Sequence, residues 1–297
     1  MPDFTGLLIF SALVFLLVFL AGLLPFANPI SAHPKVLYRM TCVAAGFLIS
    51  AAMLIAIPEG FLLLSSHGSH SDSYVVISEG ASALKPQQDH GDGHASVLLA
   101  GVALLLGFVF MLILEGFGFG HDVHEEHHDH MEEHSHDHVN HPAEHSSSLV
   151  IGLTLHAATD GLVLAAAFSL GELVLSIQLA VVVLMHKFPA AFSLSAYSLH
   201  ERDSRSRSML DLLFFACATP VAMIISWFFF DATESQWQGL AVLFAAGSFI
   251  YVSTVDVLPT IHIRENSKQS LWLVLLGIGL MLVISFTVTM LFPETGI

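Results

Sequence analysis

The chain has 297 residues, of which 55% are hydrophobic and only 11% charged, and its formal net charge is −16. A mean hydropathy of +0.74 excludes an ordinary soluble domain, whose surface needs far more charge. Nine basic residues that form no patch exclude a nucleic-acid binder, which must neutralise phosphates with lysine and arginine.

A helix that crosses a bilayer needs about 20 mainly apolar residues. Eight runs qualify, at 5–26, 36–64, 95–118, 148–170, 173–199, 209–230, 237–260 and 271–292. The first has no basic lead and no small-residue cleavage site, so it reads as a span rather than a removed signal peptide. The second is long enough to tilt or to end in a polar turn. None of the runs alternates apolar with polar residues, which sets aside a transmembrane barrel. The expected fold is therefore all-α: a polytopic membrane protein of eight transmembrane helices. Residues 1–117 carry helices 1–3, 118–147 form a polar connection, and 148–297 carry helices 4–8. Cys42 and Cys217 lie in apolar runs and read as small buried side chains.

Seven of the nine basic residues (Lys35, Arg39, Arg202, Arg205, Arg207, Arg264, Lys268) fall at odd-numbered connections, and one (Lys85) at an even-numbered one. Basic residues favour the cytosolic side, so both termini are expected on the non-cytosolic face. Pro58, Pro189, Pro220 and Pro259 interrupt helices 2, 5, 6 and 7, and each frees a backbone carbonyl one turn back. Ala157, Gly161 and Ala165 make a small-residue stripe along helix 4 that lets another helix come close. Gly277 and Gly279 in helix 8 suggest packing too, and Met53 in helix 2 reads as a core methionine.

The connection after helix 3 holds ten histidines and eight acidic residues between 118 and 147, with no lysine or arginine. Such composition predicts disorder, and imidazole with carboxylate suits zinc and related divalent ions. His121, His124, His127, His128, His130, His134, His136 and His138 are expected to collect metal in the cytosol. A sparser set on the opposite face comprises His67, His70, His90 and His94 with Asp72, Asp89 and Asp92.

Ionisable residues inside spans are costly and mark functional sites. At a rise of ~1.5 Å per residue, His156 and Asp160 straddle the middle of helix 4. They stand four apart and so share a face. His186 lies at the middle of helix 5, so two helices present ligand-type side chains at one depth. Lys187 beside it must pair, lose its proton or face water, and Asp160 is the partner that depth suggests. Its role stays open between a tethered cation, a proton carrier and a structural ion pair. Glu59 in helix 2 lies about 13 Å to the outer side of centre and Asp256 in helix 7 about 10 Å to the inner side, suggesting an entrance and an exit. Glu115 sits near the inner boundary and is expected to be solvated.

The stretch His-Ala-Ala-Thr-Asp-Gly at 156–161, with His-Lys-Phe-Pro-Ala-Ala at 186–191 and Tyr-Val-Ser-Thr-Val-Asp-Val-Leu-Pro at 251–259, resembles the ZIP family of divalent-metal transporters. The resemblance is to the branch that includes its ninth human member. It implies a 3+2+3 arrangement, in which helices 1–3 and 6–8 form an inverted repeat around helices 4 and 5. Where the family builds a two-metal centre, this chain has Ala157, Lys187, Ala190 and Ala191, and helix 6 has no acid between Leu212 and Phe230. The resemblance therefore implies one metal, held by His156, Asp160 and His186, with Lys187 where a second cation would sit.

The resulting expectation is a transporter, not an enzyme. It moves zinc into the cytosol by alternating access from Glu59 through the central site to Asp256 and the histidine tract. Zinc is the transported substrate, with other divalent metals open because His/Asp sites overlap in affinity. The bilayer is the surrounding partner, a homodimer is left open, and the membrane is the plasma membrane or a Golgi-type organelle membrane. The alternatives are an intramembrane zinc hydrolase and a metal-sensing membrane receptor.

Overall fold

The computed structural model describes residues 4–27, 34–67, 91–119, 142–202, 204–230, 232–257 and 267–292. Among these residues there is no strand, and eight helices are long and apolar enough to cross a membrane. In hydrocarbon every backbone donor must be satisfied by the protein itself, which leaves helices and closed barrels, and runs of about twenty apolar residues suit the helix.

We number the spans α1 (Phe4–Ala27), α2 (Pro34–Ala51, continuing through a π-helical turn Ala52–Ala56 into Ile57–His67), α3 (Gly91–Leu114, ending in a π-helical turn Glu115–Phe119), α4 (Pro142–Ser169), α5 (Leu173–Glu201), α6 (Arg205–Phe230), α7 (Ser235–Tyr251, extended by a π-helical turn Val252–Val257) and α8 (Ser267–Leu291). Helices α3 and α4 begin earlier than the apolar runs do, because polar ends can continue a helix beyond hydrocarbon. Proline suits the start of α4, where its missing N–H has no intrahelical acceptor to lose. The histidines expected to gather metal, His121 to His138, lie outside the described residues. So do His70 and His90 with Asp72 and Asp89.

The second span is helical over its whole described length. It runs unbroken to His67, and its π turn lies just ahead of Pro58. A π turn relaxes the ladder where a proline withholds a donor. Pro189 and Pro220 likewise stay inside continuous helices. Between α4 and α5 the chain reverses at Gly171, whose φ of 76° suits glycine.

Burial separates the helices. The apolar stretches of α4 and α7 are 72% buried within the protein, whereas that of α8 is 17% buried. Helices α4 and α7 are thus the interior, and α8 turns Trp272, Val283 and Phe286 outward, as a lipid-facing helix does. Met53 is exposed on α2, not in the core. It lies within the π-helical turn Ala52–Ala56 and faces outward there.

Helices α1, α4, α5 and α6 pack on one another, as do α2, α3, α7 and α8, and the two sets meet where α2 and α8 touch α5 and where α7 and the end of α3 touch α4. Two crossings in the second set depend on paired glycines. A Cβ on Gly46 would strike the Val274 carbonyl oxygen of α8, and one on Gly277 the Val43 carbonyl oxygen of α2. Gly107 of α3 and Gly247 of α7 stand in the same relation to the carbonyls of Phe244 and Leu104. Gly279 meets nothing, so of the two glycines in helix 8 only Gly277 serves packing. The glycines of α2 and α7 each close an Ala-Ala-Gly, at 44–46 and 245–247, and in each case a proline follows twelve residues after the glycine, Pro58 and Pro259.

Candidate metal centre

Four ionisable side chains meet where α4 and α5 cross. Asp160 Oδ2 lies 3.2 Å from His186 Nε2, 3.0 Å from Lys187 Nζ and 3.9 Å from His156 Nε2. Asp160 and Lys187 are 0% and 1% exposed, and both histidines are buried as well. One ligand atom from each of His156, Asp160 and His186 can be chosen so that all three lie within 4.8 Å of one another. Bonds of about 2.0–2.2 Å in a tetrahedral zinc site place ligand atoms roughly 3.3–3.6 Å apart. Small side-chain rotations therefore suffice to bring the three onto one ion.

Local sequence sets each group. His156 and Asp160 face the same way because they are one turn apart on α4. Thr159 turns its hydroxyl back to the His156 carbonyl at 2.7 Å and stays out of the cluster. Gly161 brings α6 against α4. A Cβ there would press on the Thr219 carbonyl oxygen and come within 2.8 Å of Ala222 Cβ. Thr219 in turn donates to the Ala157 carbonyl at 2.8 Å. The stripe of Ala157, Gly161 and Ala165 is buried throughout.

His186 is oriented by its own helix. Its Nδ1 lies 2.9 Å from the Val182 carbonyl oxygen. A carbonyl only accepts, so Nδ1 carries a hydrogen. In the neutral ring Nε2 then bears the lone pair, and that lone pair points at a carboxylate oxygen. Two acceptors at 3.2 Å are compatible when a cation is shared between them, and an orienting bond from the far ring nitrogen is the usual support of a metal-binding histidine. Phe249 of α7 lies 5.8 Å from the His186 ring and Phe215 of α6 lies 4.9 Å from Lys187 Nζ. Apolar walls of this kind strengthen every electrostatic interaction inside them.

The other expected site residues stand apart from this cluster. Glu59 is half-buried on α2, beside the crossing with α7 at Gly60 and Gly239, and is not among the three ligand groups. Asp256 falls in the π turn of α7, and its side chain is outside the described set. Glu115 is not simply solvated: it is half-buried and accepts a hydrogen bond from the Tyr251 hydroxyl of α7. A buried phenol needs an acceptor, and Glu115 supplies it.

Sequence reasoning missed a second polar cluster. Arg202 at the end of α5 grips Asp211 of α6 through Nε at 2.5 Å and through a second guanidinium nitrogen at 3.1 Å. Ser198 donates to the same carboxylate at 2.6 Å, and Ser208 closes on the Ser198 carbonyl at 2.8 Å. Arg205 donates to the Phe26 carbonyl at the end of α1 at 2.6 Å. The clue in the sequence was an acid just inside a span beside three arginines.

With this geometry established, comparison with known proteins places the chain. A family model described as ZIP Zinc transporter matches residues 119–285. The chain is 31% identical over 289 residues to Zinc transporter ZIP9-B of Xenopus laevis, covering 91% of this chain and 90% of that protein. The chain belongs to the ZIP family. Zinc transporter ZIP9 of Micropogonias undulatus is 32% identical over 286 residues, 88% of this chain and 86% of its own. Zinc transporter ZIP2 of Homo sapiens is 24% identical over 258 residues, 81% and 82% of the two chains. Membership in the ZIP family, on its ZIP9 side, agrees with the motifs at 156–161 and 186–191. ZIP proteins are transporters, which sets aside the hydrolase alternative.

Proposed function

We propose that this ZIP protein carries zinc across a membrane into the cytosol, and that the ion is bound midway by His156, Asp160 and His186. The observation that carries the reading is the buried convergence of two imidazoles and one carboxylate on helices long enough to span a bilayer. Such groups are expensive in hydrocarbon and persist where they have work to do. Three protein ligands leave a position for water, which suits an ion that must leave again. One zinc per site is our reading, because Lys187 stands beside Asp160 in place of a further ligand.

Alternating access is the proposed mode, with access from the Glu59 side and release toward Asp256 and the histidine tract. Two observations support two related halves. Exchanging α1, α2 and α3 with α6, α7 and α8, and α4 with α5, maps the α2–α8 crossing onto α7–α3 and the α1–α5 crossing onto α6–α4. The Ala-Ala-Gly stretches with their following prolines also occupy corresponding places in α2 and α7. Folds of this kind rock one bundle against another around a midplane site. The basic residues at the connections after α1, α5 and α7 favour the cytosolic side for them.

The test is zinc uptake by proteoliposomes holding the purified protein. Asp160→Ala and His156→Ala should each abolish saturable uptake while the protein still elutes as a folded species. Uptake that survives in both variants would refute the site.

A further inference from the structure

We propose that Lys187 is a built-in competitor of zinc for Asp160, and that this competition, rather than the ligands alone, sets how readily the ion is released. The inference rests on the zinc-site reading given above and adds a role for a residue that binds no metal.

The argument starts from one oxygen. Asp160 Oδ2 is approached by the Lys187 ammonium at 3.0 Å and by His186 Nε2 at 3.2 Å. The ammonium thus sits on the same carboxylate oxygen that faces His186, and a metal shared between Asp160 and His186 through that oxygen meets it there. Lys187 is adjacent to His186 in sequence, so the helix that delivers the imidazole delivers the competing charge with it.

Charge counting sharpens the point. Asp160 and Lys187 cancel, and the two imidazoles add nothing when neutral. A divalent ion therefore enters a site whose one negative charge is already paired. It must share or displace the ammonium, and both cost binding energy in a buried place. A small swing off Asp160 keeps the ammonium over the Phe215 face, where it already lies 4.9 Å from the ring centre, and an aromatic face stabilises a cation. When the ammonium swings back, it restores a full pair on Asp160 and the zinc loses its only anionic ligand. Release then needs no opening of a metal–histidine bond before the carboxylate has found its substitute.

A fixed ion pair that merely holds the helices together would not move the balance between affinity and turnover. The experiment is initial-rate uptake of radioactive zinc into proteoliposomes by the full chain, comparing wild type, Lys187→Met, Lys187→Gln and Lys187→Arg. With the charge removed, Lys187→Met should lower KM for zinc by about tenfold or more, the size of one charged hydrogen bond, and should lower kcat as well because release slows. Lys187→Gln keeps a donor to Asp160 without its charge, should shift KM in the same direction, and replaces the methionine variant if that protein does not reach the membrane. Lys187→Arg keeps the charge and should lower KM far less than the neutral variants do, since a charged hydrogen bond to Asp160 is retained. An unchanged or raised KM in the neutral variants, with uptake still abolished by Asp160→Ala, overturns the competition and leaves the site intact. Uptake that survives Asp160→Ala overturns both.

Discussion

Gly161 follows the Asp160 carboxylate by one residue and is the point where α4 and α6 touch. Replacing it with alanine adds one carbon. That carbon would collide with the Thr219 carbonyl oxygen and sit 2.8 Å from Ala222 Cβ and 2.9 Å from Met223 N. Carbon atoms rest about 3.5–4.0 Å apart at their energy minimum, so α4 and α6 must separate by roughly an ångström. The neighbours are backbone and a Cβ, which cannot rotate away. Over-packing of this kind costs about 1–3 kcal/mol. The separation also takes away the Thr219 bond to the Ala157 carbonyl and shifts Asp160 against His186, whereas binding constellations tolerate only about 0.5 Å. We expect Gly161→Ala to lower the Tm of the detergent-purified protein by several degrees and to reduce zinc uptake at least tenfold. Gly279→Ala, where the added carbon meets nothing, is the matched control and should change neither. Wild-type Tm and uptake in Gly161→Ala would refute the close approach on which the site geometry depends.

Three further expectations follow from the same contacts. Asp211→Ala strands the Arg202 guanidinium and the Ser198 hydroxyl and should cost about 1–3 kcal/mol, a loss of charged hydrogen bonds partly offset by solvent; thermal unfolding in detergent reads it. Thr219→Val keeps the shape but withdraws the donor to the Ala157 carbonyl, and should destabilise by about 1 kcal/mol with KM for zinc little changed. Removing residues 120–141, with their histidines, should reduce uptake at low zinc and leave the maximal rate near wild type, measured as KM and kcat in proteoliposomes; an unchanged KM would deny the tract a gathering role.

The eight helices were legible because hydrocarbon leaves an apolar run of twenty residues one conformation. Their ends were not, since Gly91 and Pro142 continue helices into polar sequence that hydropathy cannot score. The central cluster was legible for a different reason. His156 and Asp160 stand one turn apart, and His186 falls at the same depth on the next helix, so two independent rises bring them level. Depth also pointed Lys187 at Asp160, though it could not reveal that the lysine shares one oxygen with His186. The π turns before Pro58 and at Val252–Val257 left no mark beyond the prolines. Arg202 and Asp211 were hidden by a habit of reading. Arginines at span ends were weighed as topology signals, and Asp211, just inside the run 209–230, was not weighed as a partner for them. Their mutual grip depends on a helix hairpin that only the fold supplies.

The two Ala-Ala-Gly stretches bear on how the path is divided. Aligned on their glycines and prolines, Glu59 corresponds to Thr260 and Asp256 to Ile55. The acids of α2 and α7 therefore do not coincide. They stand four positions apart in that alignment, about one helical turn. In the proposed topology α2 and α7 run in opposite directions through the membrane, so a shared register next to a proline puts one acid on the outer side of the centre and the other on the inner side. Two halves that had kept the acid at one position would offer the ion equal attraction at both mouths. Moving it by a turn makes the two sides unequal, while the glycine crossings, Gly46 with Gly277 and Gly107 with Gly247, keep the helices that carry them at the same close distance. On the proposed reading, packing is the part of the repeat that must stay symmetric, and the placement of charge is the part that gives transport its direction of capture and release.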